Sequence, residues 1–320
     1  MKVSVIIPTY NYSHYIQQAI DSVLSQDYPT ELVEVIVVDD GSTDNTRKVL
    51  AEISKGAPTV QYHYQENAGK AAATQIGIAL AGGEIIFNLD ADDWFLPGKI
   101  SKTVQIFRHD PTLAHVASPA LIHWQDGSRA PEAEPISFSV TGQNNGEAML
   151  RYFMERKMLF GGGSTFAARA AVLKQIEWQA TIDMYTDEWL LINTLLQGGC
   201  YFFLEPLSVW RVHGSNYSGS VAQGRQQQKQ ERLKKSSTAI LQLVQKGKYP
   251  GWLKNTYRLK HEVRLMVWRE EMNEKSTGDV FRFLWKGIFS GNSISVLRSY
   301  HAFNRLAPMG LMKWLRRDGR

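Results

Sequence analysis

The stretch VEVIVVDDGST at residues 33–43 decides the fold, because a run of β-branched residues leads directly into a polar turn. Length and composition predict a buried strand over 33–38, and apolar spacing predicts a helix over 43–53. Strands that alternate with helices indicate an α/β fold with a mostly parallel, Rossmann-like central sheet flanked by helices. Similar runs predict further strands at 3–8, 60–64 and 84–89.

A polar cluster follows each of these four predicted strands. The carboxyl ends of parallel strands meet at one edge of a sheet, and ligands bind beyond that edge. We therefore expect a single pocket built from four clusters, at 9–11, 39–44, 66–70 and 88–93.

The chain has 320 residues, of which 43% are hydrophobic and 21% charged, an ordinary globular composition. Cys200 is the single cysteine, so we expect no internal disulfide and a small buried side chain there. No apolar run approaches the roughly 18 residues that span a bilayer, and the first residues do not form a signal peptide. We expect a cytoplasmic protein, or a peripheral protein at the cytoplasmic face of the membrane.

The charges are distributed unevenly along the chain. Residues 221–320 carry 21 Lys and Arg against 7 Asp and Glu, whereas residues 1–220 carry 15 against 24. The sequence therefore predicts an acidic region over 1–220 and a basic, mainly helical C-terminal region over 221–320, with different roles.

The acidic segment NLDADD at residues 88–93 follows the fourth predicted strand. Packed carboxylates repel one another unless a cation compensates, and their hard oxygens suit Mg²⁺ or Mn²⁺. The alternative is a solvated acidic turn that caps the next helix. The turn at 39–46 likewise fits either a nucleotide contact or a well-capped junction between strand and helix.

Four motifs occur in a fixed order in the first hundred residues. The chain resembles family 2 glycosyltransferases of the GT-A fold, in particular non-processive enzymes of bacterial cell-surface polysaccharides. The resemblance is strong over about residues 3–100 and weaker to about 216. It implies a nucleotide-sugar glycosyltransferase domain over 1–220, and a C-terminal region over 221–320 that associates with the acceptor or with a membrane surface. The motifs are SVIIPTYN at 4–11, VVDDGSTD at 37–44, ENAGK at 66–70 and LDADD at 89–93.

The resemblance implies a nucleotide-sugar site and a divalent metal, Mn²⁺ or Mg²⁺. The Asp-x-Asp pair Asp90 and Asp92 is expected to hold the metal, with His213 of the WRVHG segment as a further ligand. Asp39 is expected to contact the nucleotide base, and Asp93 to be structural. The complete set of implied nucleotide-sugar contacts is Pro8, Thr9, Tyr10, Asn11, Asp39, Asn67, Gly69, Lys70, Asp90, Ala91 and Arg211.

The resemblance also implies a catalytic base at the start of a later helix. Asp187 of the segment TDEWLL is the first candidate, Glu188 is the competitor, and a helix-capping role is the alternative. One departure concerns the third motif, which reads ATQIG at 73–77 where many relatives carry Arg-Asn, and this leaves the donor open. The expected acceptor residues are Gly162, Gly163, Ser164 and Trp189.

The implied reaction is an inverting transfer of one sugar from a nucleotide-diphosphate sugar, with UDP favoured, to a hydroxyl of a saccharide or lipid-linked acceptor. The Gln-x-x-Arg-Trp motif of processive synthases is absent from the sequence. Two rival functions are a non-catalytic sugar-nucleotide-binding module and a nucleic-acid-binding tail. Aromatic and basic residues at 281–289, with Lys313, Arg316, Arg317 and Arg320, favour an anionic membrane surface over nucleic acid as the partner of the tail. The alternative is a solvated helical face that packs on the catalytic domain.

Overall fold

The strand predicted at 33–38 extends from Val33 to Asp40 in a computed structural model of the chain. The structure describes residues 1–131, 142–156, 162–214 and 223–271. The chain divides into two units, one formed by residues 1–150 and 159–220 and the other by 151–158 and 221–320.

The first unit contains twelve strands within its described residues. They are β1 Val3–Thr9, β2 Val33–Asp40, β3 Val60–Gln65, β4 Ile85–Asn88, β5 Trp94–Phe95, β6 Leu113–Ala117, β7 Ala120–Trp124, β8 Arg129–Pro131, β9 Gly142–Asn144, β10 Phe166–Arg169, β11 Gly199–Phe202 and β12 Ser208–Val212. The helices of the described chain are α1 Ile16–Leu24, α2 Thr46–Gly56, α3 Lys70–Leu80, α4 Lys99–His109, α5 Gly146–Arg156, α6 Ala170–Leu173, α7 Thr186–Gln197, α8 Gln223–Lys246 and α9 Gly251–Glu271.

The large sheet has the order β3-β2-β1-β4-β10-β6-β11-β9. β1 lies between β2 and β4 and is parallel to both, so every residue of β1 is buried. Its in-register pairs Pro8–Val38 and Thr9–Asp39 bring the ends of the first two strands side by side. The sheet is thus mostly parallel in its first half, which confirms the α/β fold predicted from the alternating pattern.

Two features of the fold were not predicted. β10 runs antiparallel between β4 and β6 and carries the residues that follow Gly163 across to the acidic segment. A second sheet, in the order β5-β12-β7-β8, pairs Val209 with Trp94 and so places the strand that carries Arg211 beside the acidic segment.

The helix that contains Asp187 is preceded by a shorter one. A 3-10 helix at Ala180–Tyr185 precedes α7, which begins at Thr186. Asp187 therefore stands in the first turn of α7, where the N-terminal end of the helix dipole favours a carboxylate.

In the second unit, helices α8 and α9 are the described elements beyond residue 222. Arg151 stacks over Trp252 at 4.0 Å, and Lys260 over Phe153 at 4.7 Å. The predicted interfacial segment 281–289 and the basic residues at 313–320 lie outside the described residues. Among the helices that the structure does describe, none is both long and apolar enough to cross a membrane.

Candidate active site

The ends of β1 and β2 are tied together by Asn11. Its backbone adopts a left-handed conformation, with φ of 59°. Its side-chain oxygen accepts hydrogen bonds from the backbone N–H of Thr43 at 2.8 Å and of Asp44 at 3.3 Å, and its own N–H donates to Ser42 Oγ at 2.9 Å. Beside it, Tyr10 leaves 44% of its surface exposed at the mouth of this junction.

Asp39 is fully buried, and both of its oxygens are in use. Oδ1 accepts from the N–H of Ser42 at 2.8 Å, and Oδ2 accepts from the Tyr62 hydroxyl at 3.0 Å. Burial and the Asp39 carboxylate raise the pKa of Tyr62 to about 12, so the hydroxyl stays a donor. Each carboxylate oxygen can accept a second hydrogen bond, so these two bonds do not exclude the predicted contact of Asp39 with a nucleotide base.

Asp40 and Asp183 together hold the loop that precedes α3. The Asp40 carboxylate accepts from the N–H groups of Ala68 at 2.8 Å and Gly69 at 2.9 Å, and Asp183 Oδ1 accepts from the N–H of Lys70 at 2.7 Å. Asn67 donates its side-chain amide to the Asp40 carbonyl at 2.9 Å. The predicted donor-loop residues 67–70 are thus fixed by carboxylates from two distant elements.

Lys70 joins the acidic segment to the predicted catalytic base. Its ammonium nitrogen lies 2.8 Å and 2.9 Å from the two oxygens of Asp90 and 3.5 Å from Oδ2 of Asp187. Burial disfavours the charge on Lys70, but the carboxylates of Asp187 and Asp90 outweigh burial and raise its pKa. Burial, together with the charges of Asp187 and Asp92, raises the pKa of Asp90 to about 6 although Lys70 opposes the shift.

Asp92 is held by an imidazole and a phenol. His213 Nε2–H donates to Asp92 Oδ2 at 3.1 Å, and Tyr12 also hydrogen-bonds this carboxylate. The His213 ring packs on Tyr15, with ring centroids 4.7 Å apart. Burial and the Asp92 charge raise the pKa of Tyr12, so its hydroxyl stays protonated. The structure therefore brings together two of the three predicted metal ligands, Asp92 and His213.

Asp93 faces the interior, as its expected structural role requires. Its oxygens accept from Ser164 Oγ at 2.5 Å and from the N–H of Arg211 at 2.9 Å. Burial and the neighbouring charges of Asp92 and Asp90 raise the pKa of Asp93 well above its usual range. Ser164 Oγ in turn accepts from the N–H of Asp90 at 3.0 Å.

Two of the predicted acceptor residues are corrected by this geometry. Ser164 is buried and braces the acidic segment through Asp90 and Asp93, so its hydroxyl does not face an acceptor. Trp189 is fully buried, and its indole N–H donates to the Glu177 carbonyl at 2.9 Å. Trp189 lies on the side of α7 that faces the core.

The other two acceptor residues lie at the site. Gly162 is exposed, and Gly163 lies so close to the acidic groups that a Cβ there would be 3.1 Å from both Asp187 Oδ1 and Asp90 Oδ1. The same Cβ would collide with the side-chain amide of Asn88, which is buried and has no hydrogen-bond partner among the described residues. A glycine at 163 is what allows the backbone to approach Asp187 this closely.

Arg211 supports the acidic segment from the second sheet. Its Nε donates to the Asp92 carbonyl at 2.8 Å, and its guanidinium lies between the rings of Tyr15 at 4.8 Å and Trp94 at 4.6 Å. The other residues predicted to contact the nucleotide sugar lie near the strand ends. Within the described part of the chain, their side chains make no further polar contact with the acidic groups. Thr9 and Ala91 are buried, and Pro8 lies within β1.

The residues present fit a divalent cation. Four carboxylates, those of Asp90, Asp92, Asp93 and Asp187, act on one another's charge, and Lys70 neutralises only part of it. Carboxylate oxygen and imidazole are donors that Mn²⁺ accepts, and Mg²⁺ commonly needs only one or two carboxylates beside substrate phosphates. Within the described residues no cluster of three ligating side chains forms, because Asp90 turns to Lys70.

Reasoning from the sequence missed two residues of this site and gave a third, Asn88, no role of its own. Asp183 and Tyr12 contact groups in the site that are distant in the sequence, and nothing in their local patterns shows that. Asn88 offered a signal, because a polar residue is unusual within a run of buried strand residues, IIFN at 85–88.

Known proteins with a similar sequence are glycosyltransferases. Residues 4–176, more than half of the chain, match the Glycosyl transferase family 2. An uncharacterized glycosyltransferase of Nostoc sp. is 30% identical over 237 residues, which cover 71% of this chain and 70% of that protein. A chondroitin synthase of Pasteurella multocida is 38% identical over 36% of this chain but only 12% of its own length, so there the similarity concerns a segment.

Solved structures share the fold. TarS of S. aureus in complex with UDP-GlcNAc superposes with a TM-score of 0.59 at 18% identity, covering 99% of this chain and 86% of that one. The mannosyltransferase PcManGT of Pyrobaculum calidifontis, in complex with GDP-Man and Mn2+, gives 0.57 at 20% identity over 98% of this chain and 85% of its own. At these identities the likeness establishes the architecture, which is that of GT-A glycosyltransferases.

Proposed function

The chain belongs to glycosyl transferase family 2, and we propose that it transfers a single sugar from a nucleoside-diphosphate sugar to an acceptor hydroxyl with inversion at the anomeric carbon. One observation carries this proposal. Lys70 bridges Asp90 of the acidic segment and Asp187 of α7, so a leaving-group site and a candidate base lie on either side of one ammonium group.

Asp187 is proposed as the general base. Its carboxylate takes the proton of the acceptor hydroxyl as the acceptor oxygen bonds to C1 of the sugar. The bond from C1 to the phosphate oxygen breaks, and its electron pair leaves with the nucleoside diphosphate. A positioned base contributes about 10²–10⁴-fold to such a reaction. The Asp187 carboxylate lies 3.5 Å from the Lys70 ammonium, which supports Asp187 as the first candidate of the pair.

The leaving group is proposed to bind beside Lys70, Asp92 and His213. The ammonium of Lys70 offsets negative charge that develops on the diphosphate, as electrostatic stabilisation requires. A divalent cation, when bound, supplies further charge neutralisation to the diphosphate. Asp92 and His213 would hold it, and the Asp90 carboxylate would keep Lys70 in place.

We favour UDP as the nucleotide and a saccharide or lipid-linked hydroxyl as the acceptor, in surface polysaccharide synthesis. Structures of similar fold contain UDP, UDP-GlcNAc or GDP-Man, and segments of polysaccharide synthases are similar in sequence. These relatives support the class of donor, a nucleoside-diphosphate sugar, more broadly than they support one nucleotide.

We place the protein in the cytoplasm, with residues 221–320 associating with the anionic face of a membrane. The support is the charge of this region, 21 Lys and Arg against 7 Asp and Glu. Each basic residue near such a surface contributes about 1 kcal/mol. Flotation of the full chain with phosphatidylglycerol vesicles should exceed flotation with neutral vesicles and fall at high salt, whereas equal flotation with both would remove the proposal.

The function is tested with the purified chain and a panel of UDP- and GDP-sugars. We expect release of one nucleoside diphosphate that requires Mn²⁺ or Mg²⁺ and stops with a chelator. Binding of a nucleotide sugar without any turnover, with or without acceptors, would favour the non-catalytic binding module instead.

A further inference from the structure

Three consecutive backbone N–H groups, at and just before the start of α3, donate hydrogen bonds to carboxylates. Asp40 receives those of Ala68 and Gly69, and Asp183 receives that of Lys70 at 2.7 Å. Asp40 is the neighbouring strand end, but Asp183 is 113 residues away in the sequence. The first N–H groups of a helix have no partner within the helix, and a carboxylate there is favoured by the helix dipole.

The approach of Asp183 to this loop depends on Gly69. Gly69 has φ of 95°, and a Cβ built on it would lie 2.7 Å from Asp183 Oδ1 and 3.0 Å from its carboxyl carbon. A side chain at position 69 would therefore push Asp183 away as well as strain the backbone. Because Gly69 has no side chain, the Asp183 carboxylate can pack directly against it, and the hydrogen bond from the Lys70 N–H holds the carboxylate there.

Asp183 is also rigidly connected to the proposed base. It lies in the 3-10 helix Ala180–Tyr185, which runs directly into α7. The Thr186 hydroxyl donates to the Asp183 carbonyl at 2.9 Å and closes the turn between the two helices. Asp187 follows one residue later, so any shift of Asp183 moves the first turn of α7.

The short segment that contains Asp183 and Asp187 therefore contacts Lys70 at two points, its backbone and its side chain. Its N–H is bound by Asp183, and its ammonium lies 3.5 Å from Oδ2 of Asp187. We propose that Asp183 is a positioning residue that locks the donor loop 67–70 to the start of α7 and so sets the distance from Asp187 to the donor. The proposal rests on the proposed role of Asp187 as the base.

The test compares Asp183→Ala with the conservative Asp183→Asn. Misplacing a catalytic group by about 1 Å can cost 10²-fold in rate. We expect Asp183→Ala to lower kcat by about 10–100-fold while the Kd of the nucleoside diphosphate changes less than about threefold. Asp183→Asn retains an oxygen that can accept the Lys70 N–H, and it should recover most of kcat. Asp126→Ala removes a carboxylate that caps an exposed turn through Ser128, and it serves as the matched control with unchanged kcat.

A second variant changes Gly69, the other residue of the contact with Asp183. Gly69→Ala should also lower kcat, because its methyl group would displace Asp183, and it should weaken binding of the nucleotide sugar as well, because it strains the donor loop. Adding Asp183→Ala to Asp187→Asn should cause no further loss, since a residue that acts through Asp187 has nothing left to position. Far-UV circular dichroism and the stoichiometry of nucleotide binding report whether each variant is folded.

The outcomes separate this inference from the proposed function. If Asp187→Asn is inactive while Asp183→Ala keeps its full kcat, the positioning role is wrong and the base assignment stands. A proportional loss of kcat and of binding stoichiometry in Asp183→Ala would show general misfolding, and this too would overturn a positioning role. If Asp187→Asn itself turns over normally, the proposed function fails first.

Discussion

The ammonium nitrogen of Lys70 lies 3.5 Å from Oδ2 of Asp187, although the two residues come from different helices and are more than a hundred positions apart. The same nitrogen lies 2.8 Å from Oδ1 of Asp90. The ammonium group of Lys70 therefore connects the proposed base with the acidic segment.

Replacing Lys70 with Met should weaken donor binding and turnover together. The variant removes the charge that compensates Asp90 and Asp187, so the donor diphosphate would meet uncompensated carboxylates. We expect kcat/KM for the donor to fall by at least about 10²-fold, with Lys70→Arg less impaired. Donor titration by calorimetry and initial rates measure the two effects, and unchanged donor affinity in Lys70→Met would remove Lys70 from the leaving-group site.

Replacing His213 with Ala should raise the concentration of metal needed for activity. His213 is one hydrogen-bond partner of Asp92 and, in our proposal, a ligand of the cation. We expect the Mn²⁺ concentration at half-maximal rate to rise by about 10–100-fold, as happens when groups around a metal are lost. His109→Ala, which alters the exposed end of α4, is the control, and a His213→Ala variant with the wild-type metal dependence would contradict the assignment.

Replacing Ser164 with Ala should cost stability rather than acceptor affinity. The hydroxyl satisfies the buried Asp93 carboxylate and the Asp90 N–H, and losing it leaves buried polar groups unpaired. Such a loss costs about 1–3 kcal/mol, which urea unfolding resolves. An acceptor KM that rises severalfold without loss of stability would restore Ser164 to the acceptor site.

Lys99 should make stability depend on pH above neutrality. It is buried, it donates to the Thr165 carbonyl and to Ser118 Oγ, and burial lowers its pKa to about 7, whereas the unfolded value is about 10.4. Between these values the unfolded chain binds the proton and the folded chain does not, so raising the pH favours folding.

The unfolding free energy of the wild type relative to Lys99→Met should therefore increase from about pH 7 to about pH 10, by up to roughly 1.4 kcal/mol per pH unit. The neighbouring His115, whose pKa burial and Lys99 lower to about 3, stays neutral throughout this range. A difference between the two proteins that does not change with pH would show that Lys99 is not buried as an amine.

The first half of the fold could be predicted because β1 and β2 are long strands that are buried along their whole length. The motifs also located the ends of β1, β2 and β4, since parallel strands deliver their final residues to one edge. The second sheet could not be predicted, because β5 and β8 have only two and three residues and no pattern of their own.

The strand pattern located site residues where they adjoin a strand end, and the family resemblance supplied Asp187 at the start of a helix. Asp90 and Asp92 directly follow β4, whereas Asp183 acts through a contact across 113 residues that no local pattern records. Trp189 was expected at the acceptor from the resemblance, but tertiary packing buries its side chain in the core.

The most direct test of the account is the single-turnover rate of Asp187→Asn, with Glu188→Gln as its matched control. We expect Asp187→Asn to bind the nucleotide sugar with nearly wild-type affinity and to lose transfer by at least about 10²-fold, while Glu188→Gln keeps most of its rate. Full transfer by Asp187→Asn, or a loss confined to Glu188→Gln, would contradict the central claim that Asp187 removes the acceptor proton.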